Sequence, residues 1–184
     1  MPRRPEREPV VQFEAPLTSV AWSSAFVAQS LEVLFSYLGP EGAHRLRPVH
    51  AETLRLGFPP DRKPGEIVLD AVERYRLTPL LVHSTSWRHE EGRLILTYVA
   101  VVSPPEDLTR YLADDVVERA DLARGDALAP PSEIGTAQVL EHAFRHLSWL
   151  VKDDLAVSEA LSEWVTFLDR YEPEPFRAFG QTLD

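Results

Sequence analysis

The chain has 184 residues, no cysteine and a formal net charge of −10. That length suffices for one domain with a sizeable core. The lack of cysteine excludes disulfides, thiolate metal sites and a cysteine nucleophile. The acidic balance opposes general binding to a phosphate backbone. No run of 18 apolar residues is present, so no membrane span is expected. The opening stretch "MPRRPEREPVVQFEAPL" has an arginine pair without an apolar segment behind it, which argues against a secretion signal and for a cytoplasmic protein. Arginine outnumbers lysine seventeen to two, a bias that a GC-rich genome explains as well as chemistry does.

Residues 1–16, proline-rich and polar, read as a disordered lead-in that holds the only basic cluster, "PRRPER". A single domain is expected over 17–184. In "TSVAWSSAFVAQSLEVLFSYLG" (18–39), Val20, Phe26, Val27, Leu31, Leu34, Phe35 and Leu38 recur mostly at helical spacing. Thr18 or Ser19 can cap such a helix and Gly39 can end it. The spacing predicts a helix, although the β-branched and aromatic content also suits a strand in part of the segment. Residues 40–48 are expected as a loop and "VHAETLRLG" (49–57) as one or two helical turns. Pro59, Pro60 and Pro64 hold the next stretch extended. The helix "GEIVLDAVERYRL" (65–77) puts Ile67, Leu69, Val72 and Leu77 near one face, and is stopped at Thr78 and Pro79.

"PLLVHSTSWRHEEGRLILTYVAVV" (79–102) gives the clearest signal: two β-prone runs around the turn "EEGR", a hairpin. Its second strand, almost wholly apolar, suits a central position covered on both faces. A weaker strand is expected around Asp115–Arg119, then an irregular loop over 120–133. The segment from about 136 to 172 reads as helical: one helix with a stripe of Leu140, Phe144, Leu147 and Leu150 or Val151, and a last one over Val157–Tyr171. Trp22, Trp149 and Trp164 read as core.

Three groups of residues carry candidate chemistry. On the 65–77 helix, Glu66 and Asp70 are i,i+4 and Asp70 and Glu73 are i,i+3, so the three carboxylates can share a face. Together they could hold a hard divalent cation. The plainer reading is a solvated face with acidic residues near a helix N-terminus. In "HSTSWRHE" (83–90), strict alternation would put His83, Thr85 and Trp87 on one strand face and Ser84, Ser86 and Arg88 on the other. Such a strand can line a pocket, with Trp stacking a ring and the hydroxyls and His bonding polar groups. It can equally be a half-exposed ladder. His142 and His146 have i,i+4 spacing that can bind zinc, but no Glu follows His142, and a solvated face is the simpler expectation. His44 and His50 have no partner visible in sequence. No glycine-rich phosphate loop and no G-x-S-x-G elbow is present.

The order of proline-containing loop, Gly65-Glu66, amphipathic helix and long hairpin resembles the Nudix superfamily. Its box runs G-x5-E-x7-R-E-U-x-E-E-x-G-U. With the first glutamate on Glu66, the arginine falls on Arg74, the leading glycine on Pro60, the paired glutamates on Thr78 and Pro79, and the final glycine on Leu81. The box is therefore degenerate where the family holds its metal. The resemblance covers residues 57–102, and "GFPP", "LRPVH" and "HSTSWR" are also similar to stretches of bacterial proteins of unassigned function. It implies an α/β (α+β) domain with helices on a small mixed sheet, a central antiparallel hairpin and a helical C-terminal extension. The implied function is a divergent, non-catalytic domain that binds a small ligand through residues 83–88 or a protein partner, a second copy of the chain included. No cofactor, nucleic acid or membrane is expected. The alternative is a hydrolase of nucleotide-linked pyrophosphates, with Mg²⁺ held by Glu66, Asp70 and Glu73.

Overall fold

The computed structural model describes residues 29–59, 61–90, 92–105, 110–122 and 134–173. They form a mixed six-stranded sheet with helices on both faces, an α+β arrangement. In chain order come β1 (Gln29–Gly39), β2 (Gly42–Pro48), β3 (Leu54–Gly57), α1 (Pro64–Arg74), β4 (Pro79–Glu90), β5 (Arg93–Val102), β6 (Leu112–Val116), α2 (Thr136–Asp153), α3 (Leu155–Ala160) and α4 (Val165–Leu168). The strand order is β4-β5-β1-β2-β6. β1 runs parallel to β5 and antiparallel to its other neighbours; β2 pairs with its C-terminal half and β3 with its N-terminal half.

The first element overturns the helix expected over 18–39: its described part is the central strand β1. Residues 31–36 are all buried. Leu31, Val33 and Phe35 pack on the α1 side of the sheet, Leu34 on the α2 side. A strand covered on both faces carries apolar residues without alternation, and part of that run coincides with helical spacing. Residues 18–28, with Trp22, lie outside the described residues, as do the expected disordered lead-in and most of the loop expected over 120–133. The loop expected over 40–48 is a tight turn at Pro40-Glu41 followed by β2, and Gly42 supplies the φ of +140° that the turn requires. The helical turns expected over 49–57 are the short strand β3. β6 lies at 112–116, three residues before the position expected for it.

The hairpin β4–β5 forms as expected, with its turn between Glu90 and Arg93, and β5 lies in the sheet interior. α1 and α2 also form where their patterns predict. α1 buries Ile67, Val68, Ala71 and Val72, whereas Leu69 is exposed, not on the core face as expected. α2 buries Leu140, Phe144, Leu147 and Val151. The last expected helix is broken into α3, a 3-10 turn at Ser162–Trp164 and α4. Asp154 starts α3 by accepting hydrogen bonds from the N–H groups of Ala156 and Val157. Trp164 and Tyr171 fill the core beside Phe144, with ring centroids 5.9 and 5.3 Å from it.

α1 ends earlier than the proline would force. The Leu77 N–H donates to the Val72 carbonyl (3.0 Å) and the Arg76 N–H to that of Glu73 (2.8 Å). This is a Schellman cap, with buried Leu77 packing back toward Val72. Its left-handed residue, usually glycine, is Arg76 at φ +56°. A side chain there costs on the order of 1 kcal/mol.

Candidate functional site

β4 is the edge strand of the hairpin, and its register sets which side chains meet α2. A bulge between Ser84 and Ser86 breaks the alternation expected for residues 83–88. His83 lies opposite Val99, Ser86 opposite Thr97 and Arg88 opposite Ile95. These three face the α2 side. Ser84 and Trp87, opposite Tyr98 and Leu96, turn to the other side. Thr85, in the bulge, is buried, and its hydroxyl donates to the Thr97 carbonyl at 3.4 Å. The expected sorting, with His83, Thr85 and Trp87 on one face, is thus corrected by one extra residue in the strand.

Arg88 is committed to a buried network. Its Nη1 and Nη2 donate to the two oxygens of Glu32 at 2.6 and 2.9 Å, and its Nε donates to Glu90 at 3.1 Å. The hydroxyls of Thr97 and Thr53 also donate to Glu32, each at 3.2 Å. Arg55 stands 3.6 Å from Glu32 and donates twice to Glu90. Burial alone would raise the Glu32 carboxyl; the Arg88 hydrogen bonds and charge, then Arg55 and Thr53, outweigh it and hold the group below its ordinary value. A bidentate guanidinium–carboxylate pair with its remaining lone pairs satisfied is rigid, and it fixes this end of β4 against β1.

Next to it, α2 presents His142 and His146, and β4 presents His83. The rings of His83 and His146 are 4.9 Å apart edge-to-face, and those of His142 and His146 are 6.4 Å apart. Trp149 stacks on His146 at 5.8 Å. The solvated face expected for His142 and His146 is therefore a half-buried seam between helix and strand, closed by a third histidine 59 positions before His142 in sequence. Burial pushes His83 down from the usual histidine value; burial, then the charges of His83 and His142, does the same to His146. The His83 Nε2 is buried without a hydrogen-bond partner. Among the described residues, no group of three or more His, Asp or Glu side chains is arranged to hold a metal ion.

Between the network and the histidines lies a hollow of about 170 Å³, lined by Ser86, Trp87, Arg88, Leu122, Ile134, Gln138, Val139 and His142. Trp87 is 70% exposed. The Gln138 side-chain Oε1 accepts from the Gly135 N–H at the start of α2. His142 Nε2 lies 3.4 Å from the Thr85 carbonyl. Ser86 and Arg88 thus face this concavity, and exposed Trp87, from the other face of the edge strand, borders it; His83 is not among its lining residues. Ser84 faces away. Leu122, Ile134, Gln138 and Val139 carry no signal of their own in the sequence; they become lining residues only when the chain folds back on β4.

The other candidate residues lie elsewhere. Glu66, Asp70 and Glu73 are exposed on α1, and Asp70 pairs with Arg62 at 2.9 Å. His44, without a partner in the sequence, lies 3.0 Å from Asp114, which also accepts from the Tyr37 hydroxyl; burial first and then Asp114 push that phenol up to about 12. His50 is exposed. Glu141 is buried and receives Arg119 in bidentate fashion, Arg145 and the Ala120 N–H. Arg119 also lies 4.3 Å over the Tyr171 ring and donates to the Arg170 carbonyl, which ties the C-terminal helical segment to α2. No helix among the described residues is long and apolar enough to cross a membrane. Searches of protein-family models, curated proteins and solved structures return no match to this chain.

Proposed function

We propose that this chain is a divergent, non-catalytic Nudix-like domain that binds a small ligand in the hollow between β4 and the first turns of α2. The observation that carries the reading is the meeting of Ser86, Trp87 and Arg88 with Gln138, Val139 and His142 around one concavity. Ligand sites pair an apolar lining with a few placed polar groups. Here Leu122, Ile134 and Val139 supply the first, and Ser86, Gln138 and His142 the second. The volume of about 170 Å³ lies below the usual range of about 300–1,000 Å³ for drug-sized ligands. It suits a small molecule, or one side chain of a protein partner. The Glu32–Arg88 pair beneath is a rigid floor, which lowers the ordering cost of binding.

The Nudix-like part of the reading is supported by the order loop, Gly65-Glu66, helix, hairpin. Its non-catalytic part is supported by Thr78 and Pro79 at the positions of the paired glutamates. Incubation with Mg²⁺ or Mn²⁺ and a panel of nucleoside diphosphate derivatives should give no turnover. A rate near about 1 s⁻¹, the low end of usual enzyme rates, would restore the hydrolase alternative at Glu66, Asp70 and Glu73.

Binding is tested by a thermal-shift screen of the full chain and its Trp87→Ala variant against small metabolites. A ligand at a hundredfold excess over its dissociation constant stabilises by about 2.7 kcal/mol. That shift should shrink markedly in the variant. A shift unchanged in both Trp87→Ala and Ser86→Ala variants would remove the site from this hollow.

A further inference from the structure

A second, larger hollow of about 530 Å³ opens at the C-terminal end of α1, lined by Arg74, Tyr75, Arg76, Arg110 and Tyr111. Three of its five lining residues are arginines, in a chain whose formal net charge is −10. All three are exposed. Elsewhere, Arg45, Arg47, Arg55, Arg62, Arg88 and Arg119 each face a carboxylate within 4 Å. Among the described residues, Arg74, Arg76 and Arg110 face none; Arg93 and Arg170 also face none but lie singly elsewhere on the surface, whereas these three line one hollow. Arg110 instead donates to the Tyr111 hydroxyl and lies 4.8 Å over that ring.

The negative end of the α1 dipole favours cations, which accounts for Arg74. It does not account for Arg110, which comes from the segment before β6. Nor does it account for Arg76, which holds the left-handed cap position that glycine would take without strain. A strained backbone that keeps a cation at the mouth of a concavity is a functional sign. We infer that this hollow binds a small phosphate-bearing ligand, either a phosphate monoester or a short polyphosphate. Guanidinium forks donate paired hydrogen bonds to phosphate oxygens, and three of them around one space match a tetrahedral group with several charged oxygens. The Tyr75 ring is anchored edge-to-face on Phe35 at 5.7 Å, so the wall is fixed rather than assembled on binding. The residues differ from those of the β4–α2 hollow, so either site can fail alone.

The test is titration calorimetry of the full chain in low-salt buffer with phenyl phosphate and with pyrophosphate; sulfate and citrate serve as controls. One of the two phosphate probes should bind at one site per chain, at least tenfold tighter than either control, and which one binds tells ester from polyphosphate. Arg76→Gly should melt at a higher temperature than the parent without ligand, yet bind at least tenfold more weakly. Arg110→Gln, on an exposed turn, gives a second reading of binding independent of the helix cap. Absence of heat with both phosphates would overturn the inference. So would controls binding as tightly as the phosphates, or parental affinity in both variants. A lower melting point for Arg76→Gly would overturn the assignment of Arg76 as a residue kept at a cost in stability.

Discussion

The two faces of the sheet are built on different physics. On the α1 side, Leu31, Val33, Phe35, Ala100 and Val102 meet Ile67, Val68, Ala71 and Val72 in an apolar layer. On the α2 side, an apolar centre around Phe144 and Trp164 is bordered along β4 by a buried ion pair, three histidines and a hollow. An apolar layer tolerates volume-conserving exchange. A buried polar layer must be satisfied group by group, because each orphaned partner costs its full desolvation. The polar groups are concentrated where β4, an edge strand, would otherwise expose its edge. The same concentration furnishes the hollow assigned to the ligand.

The largest expected effect comes from breaking the ion pair on the polar side. Arg88→Met leaves Glu32, whose side chain is only 3% exposed, with two threonine hydroxyls and a distant Arg55. Removal of one partner of a buried pair costs about 3–5 kcal/mol, and the residual Arg55 contact places this case near 3 kcal/mol. The double variant Glu32→Leu with Arg88→Met should recover most of that loss, because both charges are then gone. Urea denaturation checks both. A double variant as unstable as the single one would mean that this border is held by packing, like the α1 face.

A smaller effect is expected on the apolar side. Val68 is fully buried against the sheet. Val68→Ala removes two methyl groups at about 0.8 kcal/mol each and leaves part of a cavity, for a loss of about 2 kcal/mol. The same loss should appear at pH 5.5 and pH 7.5 in chemical denaturation, since the layer around it is apolar. A loss that changed with pH would erase the contrast between the faces.

The sequence made the two faces legible to different degrees. α1, α2 and the β4–β5 hairpin could be read because each has one periodicity and clear boundaries. β1 could not: burial on both faces removes the alternation that marks a strand, and Leu31, Leu34, Phe35 and Leu38 then mimic a helix. β2 and β3 are short and carry arginines at positions 45, 47 and 55, whose long side chains pair with Asp115 on β6 and Glu90 on β4. The 83–88 stretch was recognisable as a polar-aromatic cluster, but the bulge that reassigns its faces has no sequence mark. His142 and His146 had no visible third histidine because His83 reaches them only across the β4–α2 packing. Arg76 looked like one more helical arginine, since nothing in "ERYRL" announces a cap without glycine.

The finest contrast between the faces is their response to acid. His83 and His146 have folded pKa values below the ordinary 6.5. Protons therefore bind the unfolded chain more readily than the native one between those folded values and pH 6.5. Stability rises with pH wherever the unfolded state holds more protons. The histidine contribution is therefore level above about pH 6.5, and stability is lost as pH falls below it. Glu32, Glu90, Asp115 and Glu141 act in the same sense but at lower pH: their folded values lie below the ordinary 4.5 or 3.8, so their contribution persists down to that range and is lost only in stronger acid. The interval between about pH 6.5 and 4.5 thus reports the histidine seam apart from the ion pairs. Urea midpoints measured from pH 7.5 to 5.0 should fall in the parent, and fall less in His83→Gln, which removes one titrating group from the seam and relieves the charge felt by His146. Val68→Ala should keep the parental pH slope while lying lower throughout. An equal slope in His83→Gln and parent would show that protons enter elsewhere, and the seam between β4 and α2 would then be as indifferent to acid as the apolar face behind it.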